Sequence, residues 1–304
     1  MNTLKVLSFN VQDLFLFLRQ PVHADILDLS PQQWNEQRSS LKNNKSLKNA
    51  LLLATVIKEI APDVAMLCEV GGKESLDNFN QLFLHGAYEV FCPEGTSSRG
   101  IDLGFLVKPR TSFQYGLITP EQKGLGLSRL FPVLKLEVKN APAIFMVGIH
   151  LKSKLNKNKK DFEGRSQRKK EIDALVTLVQ ELSFEHGEHF LILGDFNDDL
   201  RHGTSHFELQ ELFEKLKCRD VLSLAGMPFE ERITHFHFGP GARVSKSQLD
   251  GILASPAMQN LLVKEKCGVY RYPDQYGVPY QLNTFKDKLA LPSDHFPIFA
   301  KFII

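Results

Sequence analysis

The chain has few features of a specialised structural class. Its 304 residues include only four cysteines, Cys68, Cys92, Cys218 and Cys267, which are widely separated and form no CxxC pair. This spacing argues against a disulfide scaffold and a zinc site, and favours buried reduced thiols. No run of about 18 uncharged apolar residues is present that could span a membrane. The amino-terminal residues do not resemble a signal peptide, so we expect a cytoplasmic protein, although signal-independent secretion would leave no mark.

An excess of charge of one sign is also absent. Thirty-seven Lys and Arg residues and 35 Asp and Glu residues give a net charge of +2. The overall charge therefore favours no polyanionic partner, and any site for nucleic acid must be local. The hydrophobic fraction of 43% and the charged fraction of 24% are those of a globular protein. They exclude intrinsic disorder, collagen and a coiled coil.

Short apolar runs alternate with helical patterns along the chain. Apolar residues on one helical face predict a helix that contains Ala50, Leu53, Ala54, Ile57 and Ala61 and ends before Pro62. Further helices are predicted over 75–84, 164–183 and 207–216. Strands are predicted over 4–10, 63–70, 88–91, 102–107, 111–118, 130–139, 143–151, 189–195, 233–238, 248–254, 263–270 and 296–303.

This pattern predicts an α/β (α+β) fold, a four-layer sandwich of two packed mixed or antiparallel sheets flanked by helices. No segment has the composition of a flexible linker, so we expect one catalytic domain over 1–304, active as a monomer. The polar stretch 12–40, with a plausible helix start at Pro31, is interpreted as a surface excursion.

Acids, amides and histidines follow or open six of the apolar strands. They are Asn10, Glu69, His150, the pair Asp195 and Asn197, Asp250, and the pair Asp294 and His295. One buried polar side chain at a strand end is usually a satisfied core or capping group, but six are not easily explained in that way. Because strand ends of packed sheets converge on one edge, we expect these side chains to line one pocket.

The residue types in this set indicate a hard divalent cation. Carboxylate and amide oxygens are the ligands that Mg²⁺ or Mn²⁺ prefer, whereas no Cys or His pair has zinc spacing. Two histidines could supply acid–base chemistry or stabilise charge. The set therefore predicts metal-dependent hydrolysis of a phosphoester.

The motifs LSFNVQ, PDVAMLCEV, RGIDLGFLV, GIHLKSK, ILGDFND, SQLDGIL and PSDHFPI, in this order, resemble those of the endonuclease/exonuclease/phosphatase superfamily, which has the deoxyribonuclease I-like fold. The resemblance covers essentially the whole chain, and the combination of GDFN with SDH is highly specific. It does not fix the substrate, because substrate choice depends on loops.

Roles follow from the resemblance motif by motif. It implies that Glu69 is the primary metal carboxylate, with Asn10 and Asp294 also at the metal. Asp195 and Asn197 resemble the pair that positions the nucleophilic water and the phosphate, and His295 resembles the catalytic histidine oriented by Asp250. His150 resembles the second, phosphate-facing histidine. Asp102 stands where family members carry either the carboxylate partner of that histidine or a tyrosine. The match to abasic-site endonucleases is incomplete there, because RGID has Arg99 and Asp102 where some DNA-repair members have an aromatic residue.

A basic segment follows His150. Residues 150–170 contain nine Lys or Arg and two acids. Such a run is often only a solvated face, but here it could follow a nucleic-acid backbone or an anionic lipid headgroup. Lys152 and Lys154, together with Arg99, are the predicted substrate contacts. Hydrolysis of DNA is the first prediction, a phosphoinositide or sphingolipid phosphoesterase is the alternative, and a catalytically silent binding module is the least favoured.

Overall fold

The computed structural model describes residues 2–22, 25–95, 97, 99–110, 112–118, 122, 125–154, 161–201, 207–239 and 243–304. The strands are β1 Thr3–Leu14, β2 Val64–Val70, β3 Glu89–Phe91, β4 Asp102–Val107, β5 Phe113–Ile118, β6 Val133–Val138, β7 Ile144–His150, β8 Phe190–Asp195, β9 Arg219–Asp220, β10 His235–Phe238, β11 Val244–Ser247, β12 Asp250–Ala254, β13 Gly268–Val269 and β14 Ile298–Ile303. The helices are α1 Pro31–Glu36, α2 Leu47–Ile60, α3 Gly72–Phe83, α4 Arg165–His186, α5 Gln210–Glu214, α6 Val221–Leu224, α7 Pro256–Gln259 and α8 Phe285–Leu289.

The strands form two six-stranded sheets and one hairpin. The first sheet has the order β13-β14-β1-β2-β4-β3 and the second has the order β5-β6-β7-β8-β12-β9, while β10 and β11 pair only with each other. In each sheet the two central strands, β1 with β2 and β7 with β8, are parallel. Their outer neighbours β14, β4, β6 and β12 are antiparallel to them. Both sheets are therefore mixed, as the sequence predicted.

Three apolar clusters hold the layers together. Side chains of both sheets, such as Met66 on β2 and Met146 on β7, form the cluster between the sheets. A second cluster packs α2 and α3 on the outer face of the first sheet, and a third packs α4 on the outer face of the second. This is the predicted four-layer sandwich, and its core comes from strands with both faces buried.

The stretch 12–40 differs from the prediction of a surface excursion. Leu16, Leu18, Ile26 and Trp34 are all buried in the cluster beneath α2. Ser30 caps α1 with a capping box and Pro31 occupies the first turn, as the Ser-Pro pair indicates. The stretch therefore forms part of the core on one side and a wall of the site described below on the other.

The strand predicted over 263–270 is also wrong in extent. Residues 264–266 form a 3-10 turn, and only Gly268–Val269 pairs with β14. The strands β9 and β11 and the helices α6, α7 and α8 were not predicted, because elements of two to five residues give too short a periodic signal. Within the described residues, no helix is both long enough and apolar enough to cross a bilayer.

Candidate active site

The topology brings the predicted polar residues to one edge of the two sheets. The parallel pairs β1 with β2 and β7 with β8 end at this edge, and the antiparallel β12 and β14 begin there. In the second sheet, Asp195 lies between His150 on one neighbouring strand and Asp250 on the other. Residues from six separate segments therefore meet because of strand direction.

Asp195 lies at the centre of the site and is 2% exposed. Its Oδ2 accepts a hydrogen bond from Asn10 Nδ2 at 3.1 Å and lies 3.6 Å from His150 Nε2 and 4.0 Å from His295 Nε2. Burial raises the pKa of Asp195 to about 7, with a further contribution from Asp250 and opposing effects from His295 and hydrogen bonds. This carboxyl can therefore exchange a proton near neutral pH.

The GDFN motif sets the position of this carboxylate. Gly194 has a φ of +145°, and a Cβ there would lie 1.9 Å from the carbonyl oxygen of Ile149, so only glycine fits between the paired strands. Asn197 has a φ of 51°, and its backbone N–H donates to Asp195 Oδ1 at 2.8 Å. Its Nδ2 donates to the Leu151 carbonyl at 3.0 Å. The motif thus fixes Asp195 and Asn197 as one unit.

His295 and Asp250 form a buried pair, with 2.7 Å between Nδ1 and Asp250 Oδ2. Burial lowers the pKa of His295, but the Asp250 carboxylate outweighs it, and Asp294 and Asp195 add to the effect, so the pKa rises to about 10. Ser293 Oγ accepts from the His295 backbone N–H and donates to the Asn10 carbonyl at 2.7 Å. His295 is therefore a fixed imidazolium at neutral pH.

Asn10 and Glu69 connect the first sheet to this centre. Asn10 Nδ2 lies 3.4 Å from Glu69 Oε1 as well as 3.1 Å from Asp195 Oδ2, so the amide bridges the two carboxylates. The other oxygen of Glu69 accepts from the backbone N–H of Asp13 at 3.2 Å. Glu69 has a φ of 65°, in the left-handed region, where a non-glycine residue carries backbone strain that its surroundings must hold.

His150 lies between Glu69 and Asp195, with its Nε2 3.8 Å from Glu69 Oε1. Burial lowers the pKa of His150 well below its usual range, and the charges of Arg129 and His295 add to this. Arg129 donates to the His150 carbonyl at 3.1 Å. The pairing implied for Asp102 is not formed, because His150 Nδ1 has no hydrogen-bond partner among the described residues. Asp102 packs instead against Gly95.

Asp294 lies on the other side of His295, with its Oδ1 3.9 Å from His295 Nε2. Its Oδ2 is 3.1 Å from Lys288 Nζ and 3.6 Å from His235 Nε2. Burial raises the pKa of Asp294, but the hydrogen bond from His235 and the charges of His295 and Lys288 lower it further, so the net shift is downward. Asp294 is therefore a carboxylate beside two cations, Lys288 and His295.

The three predicted substrate contacts lie farther out. Arg99 pairs with Asp13 at 3.1 Å, and Lys154 pairs with Asp198 at 2.5 Å. The Lys152 backbone N–H donates to Glu171 at 2.7 Å, which fixes the start of the basic segment but not its side chain.

Two described cations of the basic segment are held by neighbouring groups of the fold. Arg168 is fully buried, bonded to Glu208 and to the Lys152 carbonyl. Lys169 pairs with Asp173 and Glu211. Lys157, Lys159 and Lys160 lie outside the described residues. In the part of this segment that the structure describes, several cations therefore stabilise the fold.

Three residues at the site were missed by the sequence reasoning: Arg129, His235 and Lys288. Histidine and phenylalanine alternate over His235–Phe238, and the Phe236 ring contacts the ring of Phe296. The same alternation turns His235 to the opposite side, and its ring lies 4.9 Å from the ring of His295. No sequence pattern around Arg129 or Lys288 indicates a role at the site, because each residue lies in a segment outside the motifs.

The family model described as "Endonuclease/Exonuclease/phosphatase family" matches residues 8–295. No curated protein matches the chain in sequence.

Solved structures show the same fold at low sequence identity. Truncated Caenorhabditis elegans TDP2 has a TM-score of 0.63 and 17% identity, with 99% of this chain and 98% of that chain covered. D. rerio TDP2 complexed with single strand DNA product has a TM-score of 0.61 and 16% identity, with 100% of each chain covered. The human Nocturnin catalytic domain has a TM-score of 0.57 and 16% identity, with 99% and 94% covered. With the family model matched over nearly its whole length, the chain belongs to the Endonuclease/Exonuclease/phosphatase family of phosphoester-hydrolysing enzymes.

Proposed function

We propose that the protein is a Mg²⁺- or Mn²⁺-dependent nuclease that hydrolyses phosphodiester bonds of DNA, with 1–304 as one catalytic domain. The observation that carries the proposal is the convergence on Asp195 Oδ2 of Asn10 at 3.1 Å, His150 at 3.6 Å and His295 at 4.0 Å. The buried Asp195 carboxylate lies between His150, whose pKa is lowered, and His295, whose pKa is raised. Such separated pKa values are typical of groups that act as acid and base in hydrolysis, and this supports the proposal. The monomeric state and the cytoplasmic location remain predictions from the sequence.

The side chains present fit a hard divalent cation. Glu69 offers a carboxylate that is 14% exposed, and the Asp195 carboxylate lies on the other side of the Asn10 amide nitrogen. Asn10 would bind a cation through its Oδ1, which in this structure accepts from the Gln12 backbone N–H at 3.0 Å. Asp250 Oδ1 is buried without a hydrogen-bond partner among the described residues, as expected near a missing polar group. We propose Glu69 and Asn10 as the main ligands and Asp294 as an outer acid. When bound, the metal neutralises charge on the phosphate and the leaving oxygen.

The other catalytic roles belong to two pairs of residues, Asp195 with Asn197 and His295 with Asp250. Asp195, with a pKa near 7, takes a proton from the attacking water, and Asn197 orients the water or the phosphate. The His295 imidazolium, held by Asp250, faces the negative charge that grows on the phosphate oxygens. His150 is kept neutral and donates from Nε2 toward the phosphate. Asp102, whose pKa burial raises, shapes the neighbouring wall.

DNA is favoured over other phosphoesters by the charge around the site. Lys42, Lys45, Arg99 and Lys288 line a pocket beside Asp294. Several cations along one wall suit a substrate with regularly spaced phosphates. D. rerio TDP2, which has a similar fold, was solved with a single strand DNA product. Lys152 and Lys154, which follow His150 in the chain, are proposed as further contacts to the substrate.

The function is tested by assaying plasmid DNA, short single strands, a small nitrophenyl phosphodiester and phosphoinositides with Mg²⁺, with Mn²⁺ and with EDTA. We expect metal-dependent cleavage of DNA that EDTA abolishes. Hydrolysis of phosphoinositides without DNA cleavage would show that the substrate is a lipid headgroup and not DNA. Absence of turnover on every substrate would contradict the enzyme assignment.

Glu69→Gln should raise the metal concentration needed for half-maximal activity. The change removes one charged ligand while it keeps the side-chain shape and an oxygen that can accept from Asp13. The measurement is activity against Mg²⁺ concentration, with Glu74→Gln on the surface of α3 as the matched control. An unchanged metal requirement in the Glu69 variant would show that Glu69 is not a ligand.

A further inference from the structure

A pocket of about 870 Å³ opens beside Asp294, and we call it the flanking pocket. Its lining includes Asp13, Lys42, Lys45, Arg99 and Lys288. Two segments that carry none of the sequence motifs supply most of its wall, namely residues 41–49 before and within α2 and residues 285–291 at α8. The roles proposed for the catalytic residues do not account for it.

The flanking pocket begins where the catalytic site ends. Gln12 Oε1 accepts from the backbone N–H of Asp294 at 3.1 Å, and the backbone N–H of Asp13 donates to Glu69 at 3.2 Å. Both Gln12 and Asp13 line the pocket, as does Asp294 itself. A substrate held at Asp195 and Glu69 can therefore extend into it without a break.

Charge in the flanking pocket is not balanced. Of its four cations, Arg99 pairs with Asp13 at 3.1 Å and Lys288 with Asp294 at 3.1 Å. Lys42 and Lys45 have no carboxylate within 4.0 Å among the described residues. Lys45 donates to the Val11 carbonyl at 2.9 Å, and the Lys42 ammonium lies 4.3 Å from the ring centroid of Phe15. Lys45 also donates to the Gln12 carbonyl, and Lys42 donates to the Arg99 carbonyl. With four cations and two carboxylates in its lining, the pocket carries a net charge of +2 that an anion could neutralise.

Apolar side chains surround these cations on the rim. Leu41 is fully exposed, and Phe285 and Leu289 are 56% and 65% exposed. An exposed aromatic ring near cations, as Phe285 provides, is typical of surfaces that bind single-stranded nucleic acid, where rings stack on bases and cations contact phosphates. Duplex DNA would keep its bases paired and would not use such a rim.

We propose that the flanking pocket binds the nucleotide next to the scissile phosphate of a single strand, with the phosphate of that nucleotide against Lys42 and Arg99. The inference rests on the proposed function and names its preferred substrate as a single strand that carries at least two phosphates. The neighbouring base lies on the rim formed by Phe285 and Leu289.

The test compares two chromogenic esters that differ by one nucleotide. Thymidine 5′-(p-nitrophenyl phosphate) has one phosphate, and the p-nitrophenyl ester of 5′-phosphorylated dithymidylate has two; both are also made with the ester at the 3′ phosphate. We expect the enzyme to prefer the two-phosphate ester in kcat/KM by at least about tenfold, as one charge-assisted contact implies. Lys42→Met and Arg99→Met should each remove most of that preference, mainly through KM.

The matched control is Lys48→Met, an exposed lysine on α2 that does not line the flanking pocket, and its preference should equal that of the unmodified enzyme. A second readout is the anisotropy of labelled oligothymidylate in EDTA at several salt concentrations. Each variant should reduce the slope of log K against log salt by about 0.7, the value for one phosphate contact on a single strand. Thermal unfolding shows that the variants are folded.

The results separate the subsite from the proposed function. Cleavage of both esters without a preference, or with a preference that Lys42→Met and Arg99→Met leave intact, would overturn the subsite. Binding of vesicles that contain phosphatidylinositol 4,5-bisphosphate, without binding of oligothymidylate, would also overturn it. Binding of oligothymidylate with reduced salt slopes in the variants, but no cleavage of any ester with metal, would support the subsite and contradict the nuclease assignment.

Discussion

His295→Ala is expected to lower kcat at least about a hundredfold, the lower end of what a positioned acid–base group contributes. Asp250 holds the ring at 2.7 Å and keeps it charged, so the variant loses a fixed cation where the phosphate gains negative charge. Substrate affinity should change much less, because this interaction is strongest in the transition state. Steady-state kcat and KM on the small nitrophenyl ester measure both effects. A folded variant with unchanged kcat would rule out the assigned role.

Asp250→Asn tests the contribution of the positive charge on His295 while the imidazole ring itself is kept. The raised pKa of about 10 means that the imidazolium persists below that pH and is lost as the pH rises through it. Without the Asp250 carboxylate the pKa of His295 falls, so the loss of activity on the alkaline side should begin at lower pH in the variant. The measurement is kcat from pH 6 to pH 10. Identical alkaline limbs in the two proteins would show that the charge of His295 is not used.

The centre of the site could be predicted from the sequence because its residues lie at the ends of strands that pair with each other. His150 ends β7, Asp195 ends β8 and Asp250 begins β12, and the pairing of these three strands alone makes the residues neighbours. The alternation of apolar runs and polar ends is visible without any tertiary information. For this reason the sheets and all eight residues of the six strand ends were predicted together.

The periphery of the site could not be predicted in the same way. His235 and Lys288 meet Asp294 because a hairpin and a five-residue helix pack against the start of β14, and neither contact follows from strand order. The excursion 12–40 has the polar composition of a surface loop, yet its few apolar residues, Trp34 among them, fill the core. Short irregular segments depend on contacts between distant parts of the chain, which local periodicity does not encode.

Charge counting along the chain does not locate the cations of the flanking pocket. The basic segment after His150 has a large local excess of cations, but Arg168 is an internal group bonded to Glu208. The four cations that surround the flanking pocket come instead from three separate segments, each with one or two of them, so no window of the sequence shows them together. In this chain, cations that are neighbours in the sequence after His150 are not the cations that lie together around the flanking pocket.

Asp195→Asn is expected to lower kcat by about two to four orders of magnitude, the range for loss of a positioned base. Asn keeps an oxygen that accepts from the Asn197 N–H, so the GDFN turn is preserved while the basic oxygen is lost. The substitution removes a charge that is 2% exposed, but it also replaces the oxygen that accepts from Asn10 Nδ2 by a donor, so thermal unfolding of the variant is measured beside kcat.

The pH dependence of the same pair of proteins tests the role of Asp195 as a base. Its raised pKa of about 7 means that the ionised form appears as the pH rises through 7, so the activity of the unmodified enzyme should rise there. The charge of a bound divalent cation would move this rise to lower pH. Asp195→Asn should show no such rise in its residual activity, whereas Asp77→Asn, the same change at an exposed ion pair on α3, should behave as the unmodified enzyme. A rise that persists in the Asp195 variant would assign the base to another group.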